Sequence, residues 1–157
     1  MVICKTDIKL SNHKCIICSK KGSKMQNIVL ILGRPGSGKS EQLISYANVH
    51  KDETLFISFE NDATKLYNNR YLDNSIKVIN SIDNVCNELT DSHKTICVDY
   101  LELISDFDSF KKMLLFANEN KIRVNIASQL KRDFQYSPVA KKLTNFLSML
   151  KVDKDGK

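Results

Sequence analysis

No stretch of the 157-residue chain approaches 18 consecutive apolar residues, and Met1 to Leu10 contains no long uncharged core. The first absence excludes a membrane-spanning helix and the second a secretory signal, so a soluble, cytoplasmic protein without a membrane partner is expected. Arginine is scarce: only 4 of the 24 basic residues are Arg34, Arg70, Arg123 and Arg132. Cysteine, at 5 residues, is odd in number, which argues for reduced thiols over a disulfide framework. Internal repeats are missing, and no composition shift marks a second domain. Glycine is nearly as rare at 5 residues, yet Gly33, Gly36 and Gly38 fall within one short stretch.

What is present suits one α/β domain with a real core. The formal net charge of +6 and a pI near 9.0 favour an anionic partner, since nucleotide phosphates and nucleic acid both fit. The abundance of Lys, Ile and Asn is the coding bias of an AT-rich genome, as in a virus-encoded protein working in the host cytoplasm.

The glycine-rich stretch is Gly33-Arg34-Pro35-Gly36-Ser37-Gly38-Lys39-Ser40. It follows the apolar run Ile28 to Leu32 and opens into a helical pattern from Glu41 to Val49. Strand, G-x4-G-K-S and helix in that order define a phosphate-binding loop. Its glycines allow successive backbone N–H groups to turn toward phosphate oxygens, and the helix adds its positive end. Lys39 is expected to reach the β- and γ-phosphates, and the Ser40 hydroxyl to ligate magnesium. ATP with Mg2+ is therefore the expected ligand pair.

Further strands are expected at Thr54–Phe59, Ile76–Ile79, Thr95–Asp99 and Ile122–Ala127. Helices are expected over Asp62–Tyr71, around Ile82, Val85, Cys86 and Leu89, and around Phe107, Phe110, Met113, Leu114 and Ala117. A last helix starts at Ser137-Pro138 and carries Val139, Leu143, Phe146, Leu147 and Leu150. The helical repeat places Cys86 in the core. Alternating strands and helices predict a mainly parallel sheet flanked by helices. The core spans residues 28–157, behind a short, polar and irregular N-terminal extension, 1–27. There Cys15-Ile16-Ile17-Cys18, with His13 and Cys4, offers four soft ligands for zinc, although the run reads equally as a short packed strand.

Three strand ends carry chemistry. Asp99 closes a buried strand and is the second half of such a site, holding the magnesium shell with Ser40. Glu60 ends another strand and is a candidate general base for water. Gln129, at the tip of a third, can sense the γ-phosphate. After it, Lys131, Arg132, Phe134 and Tyr136 form a basic loop with two aromatics, suited to tracking a nucleic-acid strand by charge and stacking.

Four segments together resemble the ATPase domain of hexameric replicative helicases of the DnaB type, within the RecA-like superfamily: the phosphate loop, Ile57-Ser58-Phe59-Glu60, Val98-Asp99-Tyr100-Leu101-Glu102-Leu103-Ile104, and Ala127-Ser128-Gln129-Leu130-Lys131-Arg132. The resemblance spans about residues 27 to 135. It implies a single RecA-like domain, Mg-ATP, and self-assembly into rings on single-stranded DNA. By motif, Glu60 would polarise the attacking water, Asp99 hold the metal and Gln129 sense the γ-phosphate. Where the family continues into a strand, Asn145 to Val152 would be extended, against the helical periodicity. The segment between Glu60 and Asp99 is abbreviated relative to the family, and the basic finger that completes a neighbour's site is missing.

Two functional classes follow. One is an ATP-hydrolysing protein of DNA replication, recombination or repair. The other is a catalytically weak, helicase-like module that docks on a larger helicase or replication complex, because loss of a finger cation costs about 10^3 to 10^5 in rate. A small nucleotide kinase shares the loop pattern but surrounds its phosphoryl group with more arginine than this chain supplies.

Overall fold

The computed structural model of the chain describes residues 8–10 and 27–154. Cys4, His13, Cys15 and Cys18, the proposed zinc ligands, lie outside the described residues.

Every strand pairing is parallel. The strands are β1 (Ile8–Leu10), β2 (Ile28–Gly33), β3 (Thr54–Ser58), β4 (Lys77–Ile79), β5 (Thr95–Asp99) and β6 (Arg123–Gln129). They form one 6-stranded sheet in the order β1-β2-β6-β5-β3-β4. Because both faces are covered, the central strands are buried along nearly their whole length and do not alternate between buried and exposed. One face of Ile28, Leu30, Leu32, Ile57, Val98 and Ile126 packs under α4 (Phe107–Glu119) and α5 (Pro138–Lys154). The other face, with Val29, Ile31, Phe56, Cys97 and Ala127, packs under α1 (Lys39–Val49) and α2 (Ala63–Asn69). This is the parallel sheet flanked by helices that the alternating pattern predicts.

The chain passes from β2 to β3 over two sheet positions, which β5 and β6 later fill. Since all strands run the same way, Gly33, Ser58, Asp99 and Gln129 end on one edge of the sheet. That edge is where open parallel sheets bind ligands.

Several expectations change. Ile8–Leu10, in the segment expected to be irregular, is a strand on the edge beside β2. The helical repeat around Cys86 breaks up into a 3-10 turn, Ile82–Asn84, and a one-turn helix α3, Val85–Glu88. So short an element buries only Val85, and Cys86 is exposed, not in the core. Cys97, by contrast, is fully buried, and burial pushes its thiol up to about 12. Asn145 to Val152 lies within helix α5, not in a strand; the periodicity of Leu143 and Leu147 decides it, and both are buried. Among the described residues, no helix is long and apolar enough to cross a membrane.

Candidate nucleotide site

The loop begins where β2 ends and folds because two glycines take backbone conformations closed to other residues. Gly36 has φ 80 and Gly38 φ 93. An added Cβ would meet nothing within 4 Å at either position, so the requirement is backbone conformation alone. A turn, closed by Ser37 N–H donating to the Arg34 carbonyl at 3.1 Å, delivers the chain into α1. Gly38, the residue before that helix, gives its first N–H groups no side-chain cap. A helix leaves those groups without intrahelical partners, so they remain available to a ligand at the loop. Ser37 Oγ is buried without a hydrogen-bond partner, the one such side-chain atom among the described residues.

Lys39 curls back over the loop. It is 6% exposed, and its Nζ donates to the Arg34 carbonyl at 3.1 Å. Burial lowers its pKa, while Glu102, Asp99 and Glu41 oppose the shift. Ser40 Oγ donates to Asp99 Oδ1 at 3.2 Å, joining the helix start to the tip of β5. Asp99 is 4% exposed. Burial raises its pKa; the Ser40 hydrogen bond, Arg70 and Lys39 pull it back, and Glu60 pushes it up further.

Glu60 stands beyond β3 rather than in it, exposed on the following turn. Two contacts set that turn: Phe59 N–H donates to the Asp99 carbonyl at 3.3 Å, and Asn61 N–H donates to Ser58 Oγ at 3.2 Å. Ser58 is the register partner of Asp99, so Glu60 is carried past the Asp99 carboxylate. Its charge is felt at Asp99 and at Tyr100, whose hydroxyl is pushed up by burial first and then by Glu60, Glu102 and Asp99.

Gln129 is the register partner of Gly33, and Leu130 N–H donates to the Gly33 carbonyl at 2.9 Å. The amide residue and the loop are thus held side by side. Seven predicted site residues, Gly33, Gly36, Gly38, Lys39, Ser40, Asp99 and Gln129, come together on one edge, with Glu60 at its rim.

The basic loop is a small hairpin. Leu130 and Tyr136 form an antiparallel bridge, Phe134 N–H donates to the Lys131 carbonyl at 2.8 Å, and Lys131 N–H donates to Gln135 O at 2.8 Å. Lys131, Arg132 and Phe134 are exposed at its tip. Tyr136 is separated from them, partly buried against the core, and burial raises the pKa of its hydroxyl. The tip folds back on the phosphate loop: the Arg34 guanidinium lies 5.0 Å from the Phe134 ring centre.

Glu102 is a residue for which the motifs name no task, and it ties the site's elements together. Its Oε1 accepts from Gln129 N–H at 2.8 Å; its Oε2 accepts from Ser128 Oγ at 2.6 Å and Ser137 Oγ at 2.5 Å. Ser137 Oγ in turn accepts from Ala140 N–H at 3.2 Å, so the same carboxylate ties the tip of β6 to the start of α5. An isolated carboxylate between Leu101 and Leu103, in an otherwise apolar segment after Asp99, is the signal that could have found it.

These residues fit a magnesium–triphosphate ligand. The desolvated Asp99 carboxylate makes no salt bridge among the described residues, the Ser40 oxygen is hydrogen-bonded to it, and the helix start without a side-chain cap offers N–H donors. No group of three His, Cys, Asp or Glu side chains fit to hold a metal occurs among the described residues. Magnesium does not need one, because it keeps waters and phosphate oxygens in its shell and takes only one or two protein oxygens.

No protein-family model and no curated protein sequence matches the chain. Among solved structures, it is similar to a KaiC-like protein from the hyperthermophilic archaeon Pyrococcus horikoshii OT3. The identity is 13% and the TM-score 0.49, covering 74% of this chain and 67% of that one.

Proposed function

We propose that the protein is a RecA-like ATPase that binds Mg-ATP at the phosphate loop and hydrolyses it in the service of DNA replication, recombination or repair. The observation that carries this reading is the 3.2 Å hydrogen bond from Ser40 to Asp99. It joins the two halves of a metal–phosphate site from elements far apart in sequence.

Bound magnesium would neutralise phosphate charge and polarise the terminal phosphoryl group. The chain's own residues do the rest. The N–H groups from Gly36 to Ser40 would hold the phosphates, and Lys39 would leave the Arg34 carbonyl for a phosphate oxygen. Ser40 and Asp99 would supply the protein oxygens that hold the metal. Glu60 would take the proton of the attacking water, and Gln129 would contact the terminal phosphate from the neighbouring strand.

The DNA role rests on the resemblance of the four motifs to DnaB-type helicases and on the exposed Lys131 and Phe134 of the basic hairpin. Self-assembly, or docking on a helicase, belongs to the same proposal.

Calorimetry with Mg-ATP, and turnover with and without single-stranded DNA, test it, with Lys39→Ala as control. Binding and turnover that vanish in Lys39→Ala are expected. Wild-type protein that binds no Mg-ATP at millimolar nucleotide would sink the reading.

A further inference from the structure

Two of the four arginines have acceptors. Arg70 pairs with Glu41 at 3.2 Å, and Arg123 donates to Asn125 at 3.0 Å and lies over the Tyr46 ring. Arg34 and Arg132 make no salt bridge among the described residues. Both line one cleft of about 530 Å³ together with Pro35, Gly36, Ser37 and Leu130. Among the described residues, no carboxylate lines it. Arg34, whose carbonyl accepts from Lys39 Nζ, and Ser37, whose Oγ is buried without a partner, are both among the lining residues. Leu130 is fastened to Gly33, which fixes the root of the hairpin that carries Arg132. Two arginines that line one cleft and have no salt-bridge partner among the described residues raise its positive potential, which favours an anion there.

We propose that Arg34 and Arg132 form a phosphate clamp in cis, which binds the terminal phosphate of a nucleoside triphosphate and supplies the transition-state cation from within the same chain. This inference rests on the ATP reading above and deepens it. In the step concerned, water attacks the terminal phosphorus and passes its proton to Glu60. The bond from that phosphorus to the β,γ-bridging oxygen breaks, and the electron pair leaves with the diphosphate. Charge on the transferred oxygens is shared by Arg132, Arg34 and Lys39. Arginine suits the task because its planar fork pairs with two phosphate oxygens at once. On this account Arg132 is turned toward nucleotide rather than DNA.

The test compares full-length wild type with Arg132→Ala, Arg132→Lys and Arg34→Ala. Affinities for Mg-ATP and Mg-ADP are measured by calorimetry, single-stranded DNA binding by anisotropy of a labelled oligothymidine, and turnover separately. Arg132 is exposed, so folding is expected to survive, and a thermal melt checks it. The clamp predicts that Arg132→Ala weakens Mg-ATP by roughly tenfold or more while Mg-ADP and oligothymidine binding hold. Arg132→Lys should recover only part of the loss, because the fork is absent. An unchanged ratio of ATP to ADP affinity in Arg132→Ala, with weakened oligothymidine binding, would overturn the clamp and make the hairpin a DNA contact while the ATP reading stands. Wild type that binds neither nucleotide removes both.

Discussion

Asp99 and Asp106 sit close together in sequence and are put to opposite uses. Asp106 starts α4: its carboxylate accepts from Ser109 N–H at 3.2 Å and from Ser109 Oγ at 2.8 Å, and those bonds hold its pKa below the ordinary carboxylate range. The helix it caps buries Phe110, Met113, Leu114 and Ala117 against the sheet. Asp99 is buried at a strand tip, raised in pKa, and faces α1, whose first N–H groups have no side-chain acceptor. One carboxylate completes a helix and stabilises the fold. The other is kept desolvated beside donors that are left open. A chain selected only for stability would cap both helices, and the difference is what the proposed nucleotide site at α1 would require.

The largest expected effect tests the Asp99 side. Its folded pKa lies above the unfolded one, so the native state binds the proton more tightly. Stability then falls as pH rises from the ordinary carboxylate range through the raised value, and the loss is complete above it. Asp99→Asn removes that loss. Its melting temperature at neutral pH in a chelator should exceed wild type, while Mg-dependent nucleotide affinity should fall at least about tenfold, the lower bound for losing a metal's supporting ligand. A variant that melts lower and keeps its affinity would break the contrast. Asp106→Ala is expected to do the reverse, lowering the melting temperature by about 2–4 °C with nucleotide affinity unchanged. Its wild-type contribution has the opposite pH sign: it is present above the unfolded pKa and lost as pH falls through the lowered native value.

Much of this site was legible before any coordinates. The phosphate loop declares itself because glycine spacing, lysine and serine must be local for the backbone to wrap an anion. Asp99 was visible as a carboxylate ending an apolar run, and the strands from Ile28, Thr54 and Thr95 as runs buried on both faces. Glu102 was not, since its partners Ser128, Gln129 and Ser137 lie 26, 27 and 35 residues away and only the fold unites them. Cys86 misled because Ile82, Val85 and Leu89 do repeat at helical spacing, whereas the helix runs one turn before Leu89 becomes extended. The strand Ile8–Leu10 was hidden for another reason: at a sheet edge it pairs on one side only, so its sequence need not be apolar throughout.

The smallest expected effect lies at Phe134, where fold and site demands meet in one residue. Phe134 has φ 65, a left-handed conformation, just after the turn closed by Lys131. Glycine is favoured at that place, and a side chain there costs about 1–2 kcal/mol. Phe134→Gly relieves the strain, but it frees the unfolded chain by about 0.5–1 kcal/mol and removes a ring–guanidinium contact worth about 0.5–1 kcal/mol at an exposed site. These terms nearly cancel, so the melting temperature should move by less than about 2–4 °C. Nucleotide binding should not cancel. With no ring beneath it, Arg34 samples more rotamers, and Mg-ATP affinity should drop about two- to fivefold by calorimetry. A rise in affinity would mean that the ring draws Arg34 away from the cleft, and an unchanged value that the strained aromatic serves something other than the nucleotide.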